Sequence, residues 1–315
     1  MPSSPSLFST DPASAAIAAS PDVAPSHDFS GLWVPLVTPF RNGSVDHPAL
    51  AALVLRLAAE PIAGFVICGS TGEAASLDDA EQQAVLATVA DVAPDVRRVL
   101  GISGYHLGDT AQRLRALVGA DLAGVLLPAP LYIRPSQAGL LDWFQQLADA
   151  SPVPVLVYDI PYRTGSTLAR DTLLALAAHP RIVGIKDCGG DFGKTRALIA
   201  DGRLQVLAGE DTQIFPSVAE GGCGAIAACA HVQTARLARV ITLLRQGRLL
   251  EARALWQPLL PLLEGLFEAP NPAPLKALLS GRGEMAGELR APMTGAGAAL
   301  KARLLALDAT LSGGG

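Results

Sequence analysis

The sequence predicts an α/β chain built as a TIM-type (β/α)8 barrel with a C-terminal helical appendage. Three observations predict it: eight short apolar runs recur between residues 31 and 230, helical patterns separate them, and after residue 232 only helical patterns continue. Runs apolar throughout suit strands covered on both faces, as parallel strands are, rather than a half-exposed antiparallel sheet. A doubly wound open sheet would carry a glycine-rich turn after its first strand, whereas this one leads into "TPF".

In chain order the runs are "GLWVPLVTPF" (31–40), "GFVICGS" (64–70), "RRVLGISG" (97–104), "GVLLPAP" (124–130), "VPVLVYDIP" (153–161), "IVGIKDC" (182–188), "QVLAGE" (205–210) and "GAIAACA" (224–230). Segments such as "HPALAALVLRLAAE" (47–60) and "LDDAEQQAVLATVADV" (77–92) space apolar residues at helical intervals between them. The barrel is therefore expected over 29–232, with its last helix and a helical region over 233–315 and a frayed "SGGG" end. Residues 1–28, rich in Ser, Pro and Ala and without Lys or Arg, read as a disordered tail; they lack the positive start of a signal peptide.

Half of the residues are hydrophobic and 17% charged, as in a packed domain; 24 basic and 29 acidic residues, interspersed, leave a net charge of -5. Neither nucleic acid nor a membrane is an expected partner. Cys68, Cys188, Cys223 and Cys229 lie in apolar segments without CxxC spacing, and the five histidines lack HxH or HExxH spacing. The expectation is a cytoplasmic protein with no metal and no cofactor.

In such barrels the reacting groups stand at the C-terminal ends of the strands. The strand expected in the sixth run ends at Lys186, the only one of four lysines to close an apolar strand; Lys194, Lys276 and Lys301 read as solvated. Burial penalises an ammonium and frees the amine to attack a carbonyl, so Lys186 is a candidate Schiff-base lysine; an ion pair with Asp187 is the alternative. Tyr158 closes the fifth run and is either a proton shuttle or a packed residue, and Tyr132 follows the fourth. "GSTGE" (69–73) offers Ser70, Thr71 and backbone N–H groups that could cradle a carboxylate, although such loops also simply cap helices. Arg163 suits a substrate carboxylate and a structural salt bridge equally well.

Together "GSTGE", "YIRPSQAG", "YDIPYRTG", "GIKD", "PNPAPLK" and "APMT", in this order, resemble the dihydrodipicolinate synthase / N-acetylneuraminate lyase family of class I aldolases, over about residues 31–308. The resemblance implies a Lys186 imine with pyruvate or another 2-oxo acid, a proton relay through Tyr158 and Ser70, and a carboxylate held at Ser70 and Thr71. It further implies that Tyr132 enters the site of a neighbouring subunit, which makes the chain a homo-oligomer, dimer or tetramer. Ile226 and Gly209 would line the pyruvate pocket. "RPSQ" and the "RTG" triplet resemble the synthase branch, in which Arg163 would hold the carboxylate of aspartate semialdehyde.

Some positions depart from that branch. Leu131 stands where a second tyrosine is common, and Asp159 replaces the usual asparagine, which puts a negative charge close to the imine. Ala74, His106 and Thr110 occupy places where lysine-regulated relatives carry polar or acidic ligands, so feedback by lysine is expected to be weak or absent. The alternatives are an aldolase or dehydratase of the same family acting on a 2-keto-3-deoxy sugar acid or another hydroxy-oxo acid, and a non-catalytic oxo-acid-binding protein.

Overall fold

The computed structural model describes residues 27–312. The tail expected over 1–28 lies outside them except for its last two positions. Eight parallel strands close into a barrel: β1 (Gly31–Pro35), β2 (Gly64–Ile67), β3 (Arg98–Gly101), β4 (Gly124–Pro128), β5 (Val155–Asp159), β6 (Ile182–Asp187), β7 (Gln205–Ala208) and β8 (Gly224–Ile226). Each pairs with its sequence neighbours, and β8 returns to β1 through Gly31↔Gly224 and Trp33↔Ile226. All eight predicted runs contain a strand.

The first run shortens at its prolines. After Pro35 the chain leaves the barrel, and Phe40–Arg41 pairs with Ser44–Val45 in a two-stranded ribbon. Its turn is Asn42-Gly43, with φ of 54° and 80°. Asn-Gly is the favoured pair for a hairpin turn that needs positive φ at both central positions.

The outer layer begins with α1 (His47–Ala58), α2 (Asp79–Val92), α3 (Leu107–Arg115) and α4 (Gln137–Ala150). Sequence sets their starts. The Asp46 carboxylate accepts the N–H of Ala49 to cap α1, and Asp78 with Glu81 forms a capping box on α2. Leu50, Leu53, Val54 and Leu57 recur at helical spacing and bury one face of α1; each contributes about 1.5–3 kcal/mol. There follow α5 (Pro161–Thr164), α6 (Arg170–Leu176), α7 (Phe192–Asp201), α8 (Ile214–Ala219) and α9 (Thr234–Arg245).

Beyond α9 come α10 (Leu249–Trp256), α11 (Leu260–Gly265), α12 (Ala273–Gly281) and α13 (Ala298–Ser312). Pro258 and Pro261 interrupt what would otherwise be one helix from α10 through α11, with a 3-10 turn between them. Asp308 on α13 accepts from Gln233 Nε2 at 2.9 Å and from Arg282, which fastens the last helix to the end of the barrel.

Inside the barrel, Phe29, Trp33, Val66, Val99, Leu126, Leu156, Leu207 and Ile226 pack into one apolar core with Tyr158 and Cys188. Phe29 and Trp33 stack at 5.5 Å, and the Trp33 indole donates to the Phe29 carbonyl at 2.7 Å. The Phe29–Trp33 pair lies at the start of β1, at the end of the barrel opposite the strand ends that carry Lys186 and Tyr158.

Candidate active site

Tyr158 and Lys186 are register partners on β5 and β6, and both side chains turn into the barrel. The Lys186 nitrogen lies 4.5 Å from the centroid of the Tyr158 ring. The alternative partner, Asp187, points to the opposite face, as successive strand residues must. It accepts from Thr195 Oγ1 at 2.5 Å and from the Gly189 N–H at 2.9 Å. Lys186 therefore stands in an apolar mouth without a carboxylate from its own strand.

The Tyr158 hydroxyl is 3.3 Å from Ser70 Oγ. Burial, with a smaller contribution from Cys188, raises the Tyr158 phenol well above its ordinary pKa, against the Ser70 hydrogen bond. It remains a neutral donor and acceptor at physiological pH.

The "GSTGE" turn does not open directly onto α2. A 3-10 turn, Ala74–Ser76, intervenes, because Glu73 adopts a left-handed φ of 53°. The N–H groups of Gly72, Glu73 and Ala74 are used inside the turn. Those of Ser70 and Thr71 have no acceptor among the described residues. Two free N–H groups beside two hydroxyls make a cradle suited to a carboxylate.

Thr71 Oγ1 accepts from Asn271 Nδ2 at 2.9 Å, which leaves its own proton free to donate; the Asn271 carbonyl accepts from Arg163 Nη2 at 3.2 Å. One asparagine from the C-terminal region thus ties Thr71 to Arg163. No residue of "PNPAPLK" had a predicted role; the signal was an Asn-Pro pair at the start of an apolar helical pattern. Next to the site, Lys276 is wholly buried, 2.5 Å from Glu73 Oε1, and burial lowers its pKa against the pull of Glu73.

A cavity of about 350 Å3 opens above Tyr158. Its wall includes Ser70, Leu131, Tyr158, Arg163, Asn271 and Met293. Lys186 lies behind Tyr158 rather than on this wall. The wall therefore draws on segments from Cys68 to Met293, and the C-terminal region is part of the site as well as an appendage.

Gly209 directly follows β7, the neighbour of the lysine's strand, and Ile226 ends β8. A Cβ at position 209 would fall 2.9 Å from Lys186 Cγ, so glycine is what lets the lysine stem pass. Ile226 belongs to the same inner core as Tyr158. Tyr132 is the one predicted site residue that the chain does not bring in: it is 96% exposed, with φ 67°.

Two expectations are corrected. Lys194 and Lys276 are not solvated; their side chains are 3% and 0% exposed, because each finds a buried carboxylate. Asp159 does not put its charge beside Lys186. Its carboxylate turns outward to Lys194 on α7. Among the described residues no cluster of His, Cys, Asp or Glu could hold a metal ion. All four cysteines are free, and among the described residues no helix is long and apolar enough to cross a membrane.

The model of the dihydrodipicolinate synthetase family matches residues 28–307. The chain belongs to this family. Among family members, a 4-hydroxy-tetrahydrodipicolinate synthase 2 of Clostridium acetobutylicum is 33% identical over 88% of this chain and 98% of its own. A 4-hydroxy-tetrahydrodipicolinate synthase 1 of Streptomyces coelicolor is 37% identical over 86% of this chain and 90% of its own. A crystal structure of a chloride-inhibited dihydrodipicolinate synthase from Acinetobacter baumannii, complexed with pyruvate, superposes with a TM-score of 0.87 at 29% identity, covering 90% of this chain and 100% of that one.

Proposed function

We propose that this family member condenses pyruvate with aspartate semialdehyde, as a 4-hydroxy-tetrahydrodipicolinate synthase, through a Schiff base on Lys186. The observation that carries the reading is Lys186 itself, which is buried near the end of β6 over the ring of Tyr158, whose hydroxyl is linked to Ser70. The names of the relatives and the pyruvate bound by the A. baumannii enzyme support the same reading.

The amine of Lys186 adds to the ketone of pyruvate and loses water to give an iminium, which serves as the electron sink. Loss of a methyl proton gives the enamine, whose carbon attacks the aldehyde. Tyr158 and Ser70 relay protons, and Tyr132 of a neighbouring copy completes the chain of hydroxyls. The Ser70 and Thr71 cradle holds the pyruvate carboxylate, Gly209 and Ile226 line its pocket, and Arg163 holds the acceptor carboxylate. The acceptor amine then attacks the imine carbon, expels the Lys186 amine and leaves a cyclic hydroxy-tetrahydrodipicolinate. Holding both substrates in one cavity supplies much of the acceleration.

His106 and Thr110 engage the start of α3: His106 Nδ1 accepts from the Asp109 N–H, and Thr110 Oγ1 donates to the His106 carbonyl. With Ala74 and Leu131 in the cavity wall, this supports an enzyme insensitive to sub-millimolar lysine. The free cysteines support the expected cytoplasmic setting.

The test is reduction with borohydride in the presence of pyruvate, with the adduct mapped by mass spectrometry. A pyruvyl adduct on Lys186 that is lost in Lys186→Ala is the expected result, and turnover with aspartate semialdehyde but not with sugar-derived aldehydes would set the acceptor. The absence of an adduct on the unaltered chain would overturn the proposal.

A further inference from the structure

Directly behind the Tyr158–Lys186 pair, on the outer face of β5 and β6, lies a second, buried polar layer. Asp159 and Asp187 are register partners there, so two carboxylates stand side by side out of water. Such a pair is costly unless each acid has its own partner. Both partners come from the first turn of α7. Thr195 donates to Asp187, and Lys194 forms a buried ion pair with Asp159.

Lys194 does more than neutralise Asp159. Its ammonium also donates to the Leu168 carbonyl at 3.1 Å, while the Leu168 N–H donates to Asp159 Oδ1 at 3.4 Å. Asp159 and Leu168 are the two ends of the loop that carries α5 and Arg163. One ammonium therefore closes that loop at its base, and both backbone groups of Leu168 depend on the pair. Gly189 leaves the space for it: a Cβ there would lie 2.5 Å from Asp159 Oδ2 and 2.6 Å from Lys194 Nζ. Inside the loop, Thr164 Oγ1 shares its proton between the carbonyls of Ile160 and Ser166, which ties the turn to the segment leading to its base.

We propose that Lys194 is a positioning residue for acceptor binding: by bridging Asp159 and Leu168 it fixes the Arg163 loop and so sets the affinity for the acceptor's carboxylate. The inference rests on the function proposed above. Lys194 touches neither Lys186 nor the Ser70–Thr71 cradle, so imine formation with pyruvate is left intact.

The test is steady-state kinetics of the full-length protein with pyruvate and aspartate semialdehyde for Lys194→Met and for the double variant Asp159→Asn/Lys194→Met. The double variant removes both charges of the ion pair together and carries the test if the single variant does not fold. The expected result is a KM for aspartate semialdehyde raised about tenfold, equivalent to about 1.4 kcal/mol. The KM for pyruvate and the yield of the borohydride-trapped adduct on Lys186 stay as in the parent. In an Arg163→Ala background the same change should add nothing further, because both alter one interaction. A fall in kcat with both KM values unmoved, or full additivity with Arg163→Ala, would overturn the role of Lys194. A parent protein that traps no pyruvate would overturn the proposed function itself.

Discussion

Gly209 and Lys186 approach so closely that a single methyl group on the glycine would lie 2.9 Å from Cγ of the lysine and 2.3 Å from Cys188 Sγ. Real side chains do not tolerate such contacts, so the lysine stem would have to shift. A misplacement of about 1 Å at a reacting group can cost about 100-fold in rate. Gly209→Ala is therefore expected to fold and to lose about two orders of magnitude in kcat. Circular dichroism and single-turnover adduct formation with pyruvate check the two halves of that expectation.

The exposure of Tyr132 predicts a site shared between copies. Tyr132→Ala and Lys186→Ala chains should each be nearly inactive alone. Mixed and reassembled, they should regain activity, because a hybrid pair holds one site with both residues intact. A mixture no more active than its parents would show that Tyr132 does not act across subunits.

His231 predicts a specific loss of stability in acid. Its imidazole is wholly buried, accepts from the Val37 N–H at Nε2 (3.2 Å) and makes a 2.8 Å hydrogen bond from Nδ1 to the Ala228 carbonyl. Burial lowers its pKa from 6.5 to about 4. The unfolded chain takes up this proton at higher pH than the folded one. Stability from the neutral ring is thus complete above about pH 6.5 and is lost as the pH falls from there toward 4, by up to about 3 kcal/mol. Urea unfolding at several pH values should show this slope in the parent protein and a shallower one in His231→Gln.

Lys276→Met should destabilise the protein by about 3–5 kcal/mol, since it leaves the Glu73 carboxylate buried without its partner. Glu73→Gln/Lys276→Met should recover most of that loss. Urea midpoints of the two variants decide the point.

The residues whose role depends on their own strand were legible from the sequence. Lys186 closes an apolar run, and a strand's alternation alone sends it inward and Asp187 outward. Lys194 and Lys276 were misread because a lysine on a helix is buried or solvated according to what packs against that face, and local spacing says nothing about a carboxylate far away in sequence. Asp159 was placed beside the imine for the same reason: its partner lies 35 residues on, in α7. Asn271 went without a role because its two contacts, with Thr71 and Arg163, are 200 and 108 residues away.

The cavity wall built partly from Asn271, Pro272, Pro292 and Met293 bears on how the protein comes into being. A chain emerging from the ribosome exposes all eight strands before these residues, and none of the strand pairings draws on them. Such a nascent barrel would already hold Lys186 and Tyr158, yet its acceptor chamber would lack a side. The chamber's closing side is therefore supplied by residues that follow the barrel in sequence, so a cut after α9 would spare Lys186 and Tyr158 and still open the cavity on one side.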